Sequence, residues 1–130
     1  MSQPASITPD FPTDSPDESL LIDLSGFLSE AATAAIRLSN DGRISSSAQD
    51  AFWSLSQQSL ELGIRIDELW YQILATEQPQ INSHRQIAEA AANACSYAST
   101  HVTSTTLFRA YEALGGANEA IRGLLDRASR

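Results

Sequence analysis

An all-α fold, an up-and-down bundle of three to four helices behind a disordered N-terminal tail, is predicted by three observations. Apolar residues recur at three- and four-residue spacing over most of the chain, and Ser-x-x-Glu/Gln signatures mark helix starts. The first fourteen residues, by contrast, carry prolines and acids but no apolar period. At 130 residues the chain suits one domain large enough to bury a core without disulfides or metals.

Residues 1–14, with Pro4 and Pro12, cannot bury enough surface to offset their ordering entropy and are expected to be a disordered tail. The domain is expected over 15–130. Ser15-Pro16-Asp17-Glu18 opens the first helix: Ser15 as cap, Pro16 at the tolerated first position, Glu18 closing a capping box. Leu20, Leu24, Phe27, Leu28, Ala31, Ala35 and Leu38 form its apolar stripe, and Asn40-Asp41-Gly42 stops it near Ser39.

Ser46 and Gln49 stand in capping-box register for a second helix of about 30 residues, far above the usual length, which Pro79 ends. It carries two stripes. Phe52, Leu55, Ser59, Leu62, Ile66, Leu69 and Ile73 form one; Trp53, Leu60, Ile64, Tyr71 and Leu74 form the other. So wide an apolar circumference predicts burial on several sides or an oligomer interface. Gly63, in the middle, costs about 1 kcal/mol relative to alanine and implies a close helix approach or a bend.

Ser83 and Gln86 repeat the signature for a third helix, whose alanines (Ala88, Ala90, Ala91, Ala92, Ala94, Ala98) are expected against the second. The β-branched run from Thr100 to Thr106 is a point of kinking or breakage. Gly115-Gly116 reads as a stop, followed by a short helix from about Asn118. Two long central helices and shorter outer ones would make the bundle.

Composition narrows function by exclusion. Sixteen acidic residues face eight arginines and no lysine, giving a net charge of −8 and a pI near 4.5. Such a chain is a poor partner for nucleic acid or an anionic membrane. No uninterrupted apolar stretch approaches the roughly 20 residues of a membrane span, and the start lacks a signal-peptide pattern. A single cysteine, Cys95, suits a reducing compartment, so a cytoplasmic address is expected, with secretion by a signal-independent route as the exception. Without lysine, Schiff-base chemistry and P-loop phosphate binding are excluded. Genome composition is the simplest cause of that absence; life inside a host cell after injection is the other.

Candidate chemistry is thin, and no catalytic residue, cofactor or metal is expected. His84 reads as a first-turn surface residue. Cys95 and His101, six residues apart, fall on different helix faces, which disfavours a nucleophilic pair. Glu61 and Arg65 have the spacing of a surface ion pair, with Asp67 and Glu68 splayed beside them.

The aromatic and arginine residues are the better lead. Trp53, Arg65, Trp70, Tyr71, Phe108 and Tyr111 are the candidate partner-binding residues, because Trp, Tyr and Arg dominate binding hot spots. Trp70 and Tyr71, adjacent on a helix, cannot both enter one core. The expected function is a non-catalytic helical module acting through protein contacts, as adaptor, inhibitor or immunity-type protein, or secretion-related protein, and self-associating as a homodimer. The alternatives are a helix-turn-helix DNA-binding regulator, which would need Arg85, Arg109 and Arg122 on one face, and a secreted effector or its chaperone.

Overall fold

The computed structural model describes residues 16–130; the expected tail over 1–14 and the Ser15 cap lie outside them. Five helices and no strands make up the described residues: α1 (Pro16–Ser39), α2 (Ser46–Glu68), α3 (Trp70–Thr76), α4 (Gln78–Thr100) and α5 (Ser104–Ala128). Four are long and of nearly equal length, in place of the two long central helices expected.

Each long helix packs against two others, in the ring order α1–α2–α5–α4. The core has two ends. One unites the C-terminal halves of α1 and α4 (Ala31 to Leu38, Ala91 to Ala98) with the N-terminal halves of α2 and α5 (Phe52, Leu55, Ala110, Leu114). The other unites Leu21, Leu24 and Leu28, Ile81 and Ala88 with Leu62, Ile66, Ile121 and Leu125. The chain therefore runs up, down, up, down, with α1 parallel to its neighbour α4 and α2 parallel to α5. Helices α2 and α4 sit on a diagonal, and α3 crosses between them at the base, burying Ile73.

This order corrects the expected placement of the alanines. Ala88, Ala91, Ala92 and Ala98 are buried on α4, whose most extensive packing is against α1, whereas α2 stands diagonally across the core from it. Alanines on both sides (Ala31, Ala34 and Ala35 on α1) let the two parallel backbones approach closely. By length and composition α1 could also cross a membrane, but Leu21, Leu24, Leu28 and Leu38 are buried in the core.

Several boundaries differ from expectation for identifiable reasons. The second helix ends at Glu68, because Leu69 (φ −106°, ψ 18°) redirects the chain into α3. Trp70 Nε1 then donates to Glu18 Oε2 at 3.1 Å, tying the junction to the first turn of α1. Pro79 begins a helix instead of ending one: it lies in the first turn of α4, where no backbone N–H is required. Ser83 is thus helical, donating to Gln80 O, and His84 lies inside α4 and is buried. Ser45 rather than Ser46 caps α2, accepting from Ala48 N at 3.2 Å, while Gln49 reaches back to Asp41 O.

The α4–α5 break falls within the β-branched run. Thr103 caps α5 with a reciprocal Thr103–Thr106 capping box. Gly115-Gly116 does not stop α5, and neither glycine adopts a positive φ. A continuous buried face through Leu114, Ala117, Asn118, Ile121 and Leu125 offsets their low helix propensity.

The α1–α2 turn is held by Asp41, which accepts from Arg43 N, Nε and Nη2 at 2.9, 3.0 and 2.7 Å. These hydrogen bonds lower the Asp41 carboxyl from its usual 3.8 to about 2. A depressed folded-state value means the turn's contribution is present above pH 3.8 and is lost as pH falls through about 2. Asp41→Asn should therefore be less stable than wild type at neutral pH, and the gap should close across that window in acid-titrated thermal unfolding.

Candidate functional site

Outward from the core, α2 presents its second stripe to solvent. Trp53, Leu60 and Ile64 are 52, 43 and 60% exposed, and Tyr71, next along on α3, is 72% exposed. On α2 they follow the heptad-like series 53, 57, 60, 64, with Gln57 the polar member. The reason is geometric: Phe52, Leu55, Ser59, Leu62 and Ile66 turn inward, so positions roughly 100° away turn out.

Beside this ridge runs a groove of about 210 Å³ between α1 and α2, lined by Ser25, Ser29, Leu60, Gly63, Ile64 and Asp67 among others. Gly63 does not serve a close approach of another helix, since nothing lies within 4 Å of where its Cβ would stand. Its only local consequence is an open groove floor. Ile22, 53% exposed, adds an apolar residue on α1.

The six candidate partner-binding residues do not form one patch. Trp53 and Tyr71 belong to the exposed stripe. Trp70 is half-buried against the lower core and held by Glu18, a structural role that satisfies the expectation that Trp70 and Tyr71 diverge. Arg65 reaches Asp126 on α5 at 3.4 Å, in place of the expected Glu61; the i,i+4 ion pair that forms is Arg85–Glu89. Phe108 and Tyr111 lie near the start of α5, 60 and 47% exposed, with the Tyr111 ring edge-on to Phe52 at 6.4 Å.

Nucleophilic chemistry finds no support in the placement of Cys95 and His101. Cys95 is buried, its Sγ 3.9 Å from Ala110 O, and burial pushes the thiol up from 9.0 to about 12. His101 is exposed at the end of α4, its ring stacked on Tyr97 at 4.1 Å. The thiol should resist alkylating reagents in the native protein at neutral pH and react only on unfolding, as mass spectrometry would show; rapid native labelling would reopen the question. His84 serves packing: its two ring nitrogens face Gln80 O at 2.8 Å and Ala120 O at 3.1 Å, joining α4 to α5.

The arginines a DNA-binding surface would need are not gathered either. Arg109 lies near the α4–α5 turn, and Arg122 stands about 20 Å further along the same helix. Arg85 is engaged by Asn82 and Glu89.

Charge is divided between the two hairpins. Helices α1 and α2 carry eight carboxylates and two arginines, a formal −6. Helices α4 and α5 carry four of each and are neutral. The acidity of the chain is thus concentrated on the half of the bundle that bears the exposed stripe. Sequence reading missed this because the count per helix acquires meaning only once the helices are paired.

No protein-family model, curated protein or solved structure matches this chain.

Proposed function

We propose that this protein is a non-catalytic binding module whose working surface is the outer face of α2. The observation that carries the reading is the solvent exposure of Trp53, Leu60 and Ile64 at helical spacing on a helix whose opposite face already fills the core. Ordered apolar residues gathered along one face are a common mark of a protein-contact surface, and tryptophan anchors contribute disproportionately to such contacts. Adaptor, inhibitor and secretion-related roles all fit this chemistry, as does self-association through the same face.

The test compares wild type with a Leu60→Ser/Ile64→Ser variant as baits in a lysate of the native host, alongside light scattering of both. A protein captured by wild type and lost from the variant, or a dimer that the variant dissociates, supports the reading. Equal capture by both baits, with both monomeric, overturns it.

A further inference from the structure

The ridge and its charge together specify a partner. We propose that the α1–α2 face binds a basic amphipathic helix of another protein, seated along the groove between Ser25, Ser29 and Gly63 with its apolar side on Leu60, Ile64 and Trp53. The proposal deepens the reading above and rests on it.

The shape of the face favours a helix as occupant. From Trp53 to Ile64 the ridge extends about 16 Å, three turns of an α-helix. Its residues repeat at the spacing that an amphipathic helix presents from its own side. The adjoining groove is lined by the small side chains of Ser25 and Ser29 and by Gly63, which has none, so a helix backbone can come close. Gly63 puts no side chain into the groove, and nothing lies within 4 Å of where its Cβ would stand, so an incoming helix meets open space there.

Charge then selects which helix. Asp50, Glu61, Asp67 and Glu68, all exposed, lie along or beside the outer face of α2, and Asp67 lines the groove itself. Arg65 is already directed to Asp126, which leaves Arg37 as the exposed cation of the two helices. A helix with lysines or arginines flanking its apolar stripe would complement that rim. A second copy docked face to face would set carboxylate rim against carboxylate rim. The chain's own residues 1–15 hold Asp10 and Asp14 and no arginine, and so carry the wrong sign as well.

The experiment uses the full-length protein and three fluorescein-labelled amphipathic 18-residue peptides. They share one leucine stripe at i, i+3, i+4, i+7 spacing and differ in their flanks: lysine and arginine, serine and glutamine, or glutamate. Fluorescence anisotropy at low ionic strength should show the basic peptide binding at least tenfold more tightly than the neutral one and the acidic peptide not binding. Added salt should shrink the difference between basic and neutral. Gly63→Met, whose Cβ meets no protein atom within 4 Å and whose longer side chain occupies the groove, should weaken the basic peptide at least tenfold without lowering the unfolding midpoint. Glu61→Gln/Asp67→Asn/Glu68→Gln should bring the basic peptide down to the neutral one's affinity.

Equal affinity for all three peptides, lost in Leu60→Ser/Ile64→Ser, would overturn the basic partner while leaving the binding face intact. A dimer in light scattering that the ridge variant dissociates would assign the face to a second copy and overturn the proposal. Absence of binding by any peptide would overturn it too, and unaltered capture by the ridge variant would bring down the underlying reading with it.

Discussion

Asn118→Asp should destabilise the bundle by roughly 3–5 kcal/mol at neutral pH, the cost of a buried charge without a partner. Asn118 is 1% exposed and bridges α5 to α2: its Nδ2 donates to Leu55 O at 3.1 Å. Its Oδ1 lies 2.8 Å from Ser59 Oγ, whose hydroxyl is also 3.0 Å from Leu55 O. An aspartate keeps the acceptor toward Ser59 but turns a second acceptor on the Leu55 carbonyl, in an environment that cannot solvate the charge. The protonated acid restores a donor. The penalty should therefore be greatest above the new side chain's raised folded-state value, shrink as pH falls from that value toward about 4, the ordinary aspartate value, and be smallest below it.

Urea unfolding of wild type and variant at neutral and acid pH reads both effects. A variant within 1 kcal/mol of wild type at neutral pH would mean that the site is hydrated and the network marginal. Replacing both partners, Ser59→Ala with Asn118→Leu, should cost far less than either polar deletion alone, because no buried polar group is then left unmatched. The network's value lies in fixing the register of the parallel α2–α5 pair. That pair has less contact than α1–α4 and no interdigitating alanine seam.

How much of this was legible in the sequence follows from where local signals and tertiary forces agree. In α1 they agree: Pro16 at the start, the Leu21-Leu24-Leu28 stripe and the Asn40-Asp41-Gly42 stop all act locally, and the helix runs over Pro16–Ser39. The break after α4 was visible in its β-branched residues. The break at Leu69 was not, because Ile66, Leu69 and Ile73 continue a helical apolar period straight across it. Its cause is distant in sequence, the Trp70–Glu18 hydrogen bond and the burial of Ile73 at the base. Pro79 and Gly115-Gly116 misled in the opposite sense: each has a helical context in which its backbone peculiarity costs little.

The candidate site was half legible for the same reason. Periodicity separates Phe52, Leu55 and Ile66 from Trp53, Leu60 and Ile64 as two faces of one helix. It does not say which face the remaining helices will cover. That choice needed the ring order of the bundle, which no spacing encodes, and the charge imbalance of the α1–α2 hairpin became visible with it.

The pair Phe52 and Trp53 puts the distinction between those faces to a direct test. Phe52→Ala should cost roughly 3–5 kcal/mol, from lost burial and the cavity left in a close-packed core. Phe52 is 2% exposed, joins the upper core cluster and makes an edge-to-face contact with Tyr111. Against a total stability of about 5–15 kcal/mol, that loss lowers the melting temperature steeply. Trp53→Ala, one residue on and a larger truncation, should stay within about 0.5 kcal/mol of wild type, as surface substitutions do. Thermal and urea unfolding of the two variants side by side, with Phe52→Leu as a milder core control, decide the matter. If Trp53→Ala proves as costly as Phe52→Ala, the indole is packed against the protein itself. The outer face of α2 would then lose its anchor, and with it the main reason to read this bundle as a binding module.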